Sequence, residues 1–431
     1  MKKSALLSFV CASLIVNLPV AAATQPAATP VAPAQSPGVT VNVPDQKALL
    51  NLMHSVPAWR VYEPIAQEML MPYVTKPVTK MRLNRLTDFQ FSEATQASFK
   101  EMFGNPDPLH INVNDNQAGG QDVTYLLQAL DYTDPQSNNH SHWDALSGTV
   151  TYAKDLKHFK GIADWPYFSQ SFGTDFSVEF KQIHVVQDAA YNQHHMALGT
   201  AQISIPELKI NAGSSEKTVV AKNLLMSSDT SQQGTQLNMV LEMSTSEVQF
   251  SGHIIGPIHV DYHFLNLNEA PLAELVQQAV KLNKAEPSME KRLAASNKLL
   301  TTKLLPVLSP SSRFEIRDLS VVFQSMKAIL NGAVWLEKAK QSDMSNIKTL
   351  QEKIAAHFEL SMPKAFVLKI TKFIGSFQPG TDTEQRANAG LQALIAAGMI
   401  KEEQDQLSVV FDYMNGSRKV NGHELNGKTK K

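Results

Sequence analysis

Three residues on one short segment have types and spacing that could do chemistry. His259, Asp261 and His263 stand two apart, interleaved with Ile258, Val260, Tyr262 and Phe264. Along a strand, residues i and i+2 lie about 6.6 Å apart and point to the same face. The three polar side chains therefore share one face and the apolar set shares the other. Neutral imidazole and carboxylate are ligands for zinc or copper. With a metal-bound water such a set would support hydrolysis. The plainer reading is a solvated outer face, polar because its reverse packs a core. A metal site also needs further ligands and outer partners, and no neighbouring segment spells them out.

The other histidines add little to a joint site. His140 and His142 fall in the polar stretch Ser137–Asp144, read as a loop, with Asp144 near. His194 and His195 follow Asn192-Gln193. The thirteen histidines are scattered, and none forms a helical i, i+4 pair with an acid between. They read as solvated. No Gly-x-Ser-x-Gly elbow, Walker loop or Gly-x-Gly-x-x-Gly is present. Gly119-Gly120 reads as a turn, and Glu402-Glu403 as solvated at a helix-to-strand connection. Cys11 is the single cysteine. It falls inside the leader described below, which excludes disulfides and thiolate catalysis from the mature chain. No catalytic residue and no cofactor is expected.

A second candidate is apolar. Leu237, Met239, Leu241 and Met243 alternate with polar residues, and the sixteen methionines of the chain supply adaptable apolar surface. Such a face could hold a lipid chain; its plainer role is to pack a core, as half-buried strands must. Trp143 and Trp165, in loop-like polar context, read as cover for a core edge.

These candidates need elements to position them. Lys2 and Lys3, the apolar stretch from Ala5 to Val20 and Ala21-Ala22-Ala23 have the order of a cleavable secretory signal, residues 1–23. The apolar run is short for a span of about 20 residues. The expectation is export to the periplasm; retention as an inner-membrane anchor facing the periplasm is the alternative. Residues 24–44, rich in Ala and Pro without periodicity, read as a disordered linker. Residues 45–108 read as mostly helical or irregular, with a helix over Glu93–Phe103. Strands dominate 109–427.

In that region Phe176, Val178 and Phe180 alternate until the parity slips to Ile183 and Val185, which predicts a bulge near Lys181–Gln182. Strands are expected over Arg313–Phe323, Met326–Leu336 and 354–362. A helix starts near Pro271, with Leu272, Leu275, Val276, Ala279 and Val280 as its face. Another follows Pro363, with Phe366, Ile370, Phe373 and Ile374 as its stripe. A third starts at Thr381-Asp382-Thr383-Glu384, which resembles a capping box; its face is Ala387, Leu391, Leu394 and Ile395, and Gly398 closes it. Leu407, Val409, Phe411 and Tyr413 lead into Asn415-Gly416, a hairpin signature. Short polar turns between the strands imply antiparallel pairing.

Four segments occur in order: GPIHVDYHFLNLNEAPLAEL (Gly256–Leu275), SRFEIRDLSVVF (Ser312–Phe323), AAHFELSMPKAF (Ala355–Phe366) and LIAAGMIKEEQDQLSVVFDYMNGSRKVNGHEL (Leu394–Leu425). On these the chain from about His110 resembles the YdgA-like family of bacterial envelope proteins, of uncharacterised function. The resemblance implies a β-dominated protein facing the periplasm and implies no catalytic residues. Members often keep an uncleaved anchor and a longer first part, and this chain departs from them there.

The fold expected is α+β, an extended antiparallel sheet or two packed sheets with covering helices. The balance of 39 basic and 40 acidic residues lacks the basic footprint of a nucleic-acid binder. The function expected is non-catalytic: binding or scaffolding in the envelope, with a lipid or apolar ligand on a curved sheet, or another envelope protein, as partner. Homo-oligomers are compatible with this reading. The metal-binding or hydrolytic reading on His259, Asp261 and His263 is the alternative.

Overall fold

The structure is a computed structural model that describes residues 56–70, 76–173, 176–213, 218–285, 289–345, 347–375 and 383–425. The signal (1–23), the linker (24–44), the first part of the 45–108 segment and Thr381-Asp382 of the expected capping box lie outside the described residues. The chain divides into two units. One comprises Met1–Thr174, Val185–Asp188 and Leu275–Thr302; the other comprises Asp175–His184, Ala189–Glu274 and Lys303–Lys431.

The first unit begins with α1 (Pro57–Pro64), a π turn at Ile65–Leu70, α2 (Lys80–Asn84) and α3 (Glu93–Phe103). Ser92 caps α3 by accepting from the Thr95 amide, and Gly104 ends it at φ +68°, where only glycine sits without strain. Six strands follow: β1 (Leu109–Asp115), β2 (Gln121–Leu127), β3 (Leu130–Thr133), β4 (His140–Trp143), β5 (Leu146–Tyr152) and β6 (His158–Phe172). The ladders β1–β2, β2–β5, β5–β6, β3–β4 and β4–β6 are all antiparallel. Alternation on these strands closes one face: Leu109, Ile111, Val123, Tyr125, Leu127, Val150, Tyr152 and Phe159 are all buried. Phe91, Phe99, Phe103, Trp143 and Phe168 form a chain of edge and stacked ring contacts with centroids 5.0–6.0 Å apart.

Two expectations are corrected here. His140 and His142 lie on β4, and Trp143 and Trp165 also sit on strands. The polar residues around them suggested a loop, yet His140 and His142 line the outer face while Ser141 and Trp143 occupy the buried one. Its indole N–H donates to the Gln128 carbonyl at 3.1 Å, which satisfies its polar atom inside the core.

After β7 (Phe176–Tyr191), the second unit is built from β8 (Ala197–Ala212), β9 (Val219–Gln233), β10 (Gln236–Thr245), β11 (Glu247–Phe250) and β12 (His253–Asn268). It continues with β13 (Arg313–Phe323), β14 (Met326–Leu336), β15 (Ile354–Pro363), β16 (Lys401–Glu403), β17 (Gln406–Met414), β18 (Ser417–Val420) and β19 (His423–Glu424). The ladder β8–β9–β10–β12–β13–β14–β15–β17–β18 is antiparallel throughout. Gln182 sits at φ +55° where the bulge in β7 was expected, and Asn415 and Gly416 turn the β17–β18 hairpin with φ of +52° and +78°.

The helices of the second half are α4 (Glu269–Ala285), α5 (Met289–Val307), α6 (Ile347–Lys353), α7 (Lys364–Gly375) and α8 (Thr383–Ala396). Phe366 and Phe373 of α7 pack on Phe323 and Ala328, with Phe250, Ile255, Val321, Met326, Met362 and Ile370 around them. Three residues assigned to apolar helix faces are exposed instead: Ile374 at 56%, Leu394 of α8 at 46% and Val276 of α4 at 37%. Each adjoins a true face residue, and a helix advances about 100° per residue, so the outermost member of a wide stripe leaves the contact. The molecule is β-dominated, α+β and antiparallel, as its alternation predicts.

Candidate functional site: a half-buried apolar sheet face

Register assembles the apolar face of the second unit. Residues directly opposite in an antiparallel pair share a sheet face. One row therefore runs Ile203, Met226, Met243, Val260, Leu319, Leu330, Leu360 and Val409 across eight strands. The adjacent row carries Leu241, Tyr262, Ile316, Gly332, Phe358 and Phe411, and a third carries Met239, Phe264, Phe314, Val334, Ala356 and Tyr413. No charged residue interrupts these positions. Most of these side chains are only half-buried, and Met243 is 41% exposed. An apolar face of this extent with residual exposure is the signature of a surface that meets something else.

Gly332 keeps the second row continuous. A Cβ there would lie 2.3 Å from the His357 carbonyl oxygen and 2.4 Å from the Phe358 ring. The Phe358 side chain thus lies across the glycine and fills the place its side chain would take.

The four apolar candidates separate. Met239 faces Phe264, Leu241 faces Tyr262 and Met243 faces Val260, so three of them belong to the face. Leu237 is fully buried and offers nothing to a ligand. The register shifts between Leu237 and Met239, where Asn266 takes φ +59° and its amide donates to Asn238 Oδ1 at 2.8 Å. The extra residue lies on β12, and beyond it Leu237 pairs with Leu267.

The rows run into a cavity at one end. About 350 Å³ of space is lined by Leu360, Met362, Val367, Leu391, Leu407 and Val409, with Ala387, Gly390, Leu394 and Ile400 completing it. None of these side chains is polar. Ala387 and Gly390 are the small residues of α8 that line the cavity, and a Cβ on Gly390 would meet nothing within 4 Å. Sequence periodicity identified α8's apolar residues but not the gap beside them. The signal available was a small residue at each of two positions one turn apart.

The polar trio lies on the reverse face. His263 is 8% exposed, so it is not solvated as expected. Asp261 Oδ1 lies 2.8 Å from His263 Nε2 yet has no hydrogen bond, which places the imidazole off the line of a good bond. Glu242, Asp261 and Asp318 are register partners across three strands, and Lys327 Nζ lies 3.8 Å from Asp318. His259 pairs in register with Ser244 and Ser320 rather than with a third ligand. Among the described residues no group of three or more His, Cys, Asp or Glu side chains is arranged to hold a metal ion.

Two further polar clusters escaped sequence reading. Glu269, 2% exposed at the start of α4, accepts from Asn192 Nδ2 at 2.7 Å and Gln232 Nε2 at 2.8 Å, which satisfies a buried carboxylate and ties two hairpin ends to the helix. His357 lies between carboxylates, with Nδ1 2.8 Å from Asp412 and Nε2 3.1 Å from Glu359. The hydrogen bond to Asp412, with that to Glu359, holds its pKa above the usual imidazole value. The partners are 77, 37 and 55 residues apart in sequence for the Asn192, Gln232 and Asp412 bonds, so no local pattern announces them.

The profile of a family described as a bacterial protein of unknown function (DUF945) matches residues 86–427. No curated protein matches the chain, and no solved structure matches it.

Proposed function

Because the chain belongs to DUF945, a bacterial family of unknown function, its activity has to be argued from its own geometry, and we propose that it is a non-catalytic apolar-ligand protein of the cell envelope. The ligand is a lipid or another apolar molecule held on the sheet face of the second unit. The single observation that carries this reading is the set of apolar rows through Met243, Leu241 and Met239, for the most part half-buried and free of charge. Ordinary core packing would bury such rows, as it buries the sheet of the first unit. Binding there would be hydrophobic, at roughly 25 cal/mol per Å² of apolar area removed from water.

The finer placement rests on sequence. The leader at 1–23 and the ordered segments described above support export and a place among YdgA-like proteins facing the periplasm. Cleavage after Ala23 would release the chain; a retained leader would anchor it in the inner membrane.

Solvent extraction and native mass spectrometry of protein purified from the envelope fraction test the ligand. Bound lipid is expected, and Met243→Lys together with Leu241→Glu lowers the bound fraction while the fold persists. Protein that carries no apolar molecule and takes up none from mixed phospholipid vesicles ends the proposal. N-terminal sequencing of the purified chain tests export: a mature start at residue 24 is expected, and a full-length chain in the cytoplasmic fraction refutes it.

A further inference from the structure

The cavity between α7, α8 and the strands β15 and β17 differs from the rest of the apolar face, because it has walls. Helix α8 packs against α7. On the side of α8 facing the strands, Ala387 and Gly390 leave a gap that Leu360, Met362, Leu407 and Val409 floor. Leu360 pairs with Val409 and Met362 with Leu407 in register. The Leu360–Val409 pair is also the last step of the row through Met226 and Met243, so the cavity is continuous with the face.

We propose that this cavity seats the end of a single linear hydrocarbon chain, such as a fatty acyl chain. The proposal rests on the reading of the sheet face as an apolar-ligand surface and specifies where the chain ends and what chemistry it has. Three observations select this occupant. The lining contains no hydrogen-bonding side chain. A sugar, nucleotide or peptide backbone would leave polar groups unsatisfied there, at roughly 1–3 kcal/mol each. The carboxylate beside the cavity is already paired: Glu402 is opposite Leu407 and so shares its sheet face, and its Oε1 accepts from Lys364 Nζ at 2.6 Å. A charged head group gains no free partner from that pair, and the apolar lining leaves it in solvent. The volume of about 350 Å³ corresponds to on the order of ten water-sized groups at ~30 Å³ each. That suits a segment of chain that continues along the rows rather than a whole lipid.

Gly390 provides the test. Space is open at its Cβ position and its φ is not left-handed, so Gly390→Leu fills the cavity and favours the helix. The probe is cis-parinaric acid, an 18-carbon polyene fatty acid that fluoresces in apolar surroundings, titrated into the purified full-length protein. Wild type is expected to bind it, with Gly390→Leu weakening binding at least tenfold at unchanged circular dichroism and Tm. Ala387→Phe, which enters the gap one turn away, is expected to do the same and covers any folding failure of the first variant. Wild-type binding that neither folded variant weakens overturns the cavity proposal and leaves the sheet-face reading standing. No binding by wild type removes both.

Discussion

The two units use the same strand chemistry and reach opposite degrees of closure. In the first, alternating β strands bury Val123, Val150 and Tyr152 completely, and aromatic rings from α3 and β4 interlock behind them. In the second, equally regular alternation leaves Leu241, Phe358 and Phe411 half-buried and Met243 exposed. Alternation alone states which side of a strand is oily. Whether that side becomes a core or a surface depends on what the chain brings to it.

The largest expected effect follows from that contrast. Trp143→Ala, at 1% exposure in the first unit, should cost about 3–5 kcal/mol because it opens a cavity in closed packing. Leu241→Ala on the half-buried face should cost about 1 kcal/mol, since much of its surface never leaves water. Urea titration followed by hydrogen exchange in peptides of each unit measures both. Equal costs would show that the second face is a core like the first.

Backbone crossings should break the contrast rather than follow it. Gly332→Ala places a methyl 2.3 Å from the His357 carbonyl, and Gly148→Ala places one 2.3 Å from the Tyr125 ring and 2.7 Å from the Ile162 carbonyl. Each should cost about 1–3 kcal/mol through strain, one in each unit. A tolerant Gly332 with an intolerant Gly148 would mean that the second sheet yields as a whole.

Glu269→Gln tests how firmly the hairpin ends of the second unit are tied. The substitution turns an amide toward the Asn192 and Gln232 amides, and a loss of about 1–3 kcal/mol is expected. Faster exchange in 189–196 and 230–237 is the readout. Unchanged exchange there would show that the carboxylate is not what holds them.

The smallest effect is in pH. His357 has its folded pKa raised above 6.5 by Asp412 and Glu359. Its contribution is therefore complete below about pH 6.5 and disappears as pH rises through the raised value. In the first unit Asp131, held below its ordinary value chiefly by the hydrogen bond from His140, works in the other sense. Its contribution is present above about pH 4 and is lost as pH falls below that. The second unit alone should soften slightly as pH rises above about 6.5, and His357→Gln should remove that slope. A slope that survives the substitution assigns it to another group.

Local sequence was a good guide wherever a short stretch decides its own structure. Glu93–Phe103, Arg313–Phe323 and Met326–Leu336 form over the ranges their periodicity indicates. It failed at His140–Trp143, where a buried serine and a buried indole alternate with two outward histidines, and at Ile374, where the edge of a stripe escapes contact. Of the candidate sites, the alternation of Leu237–Met243 was legible, but its division was not. Leu237 is buried while Met243, on the same strand, stays open.

By itself the sequence determined the antiparallel, β-dominated class, the hairpin at Asn415-Gly416 and which side chains share a face. Those properties follow from a two-residue period and from turn residues that tolerate positive φ. Only the tertiary structure decided that rows from eight strands line up, that α8 leaves a gap beside them, and that His263 is buried against Asp261. Register between strands and spacing between helix and sheet are set by residues far apart along the chain, and no local period encodes them.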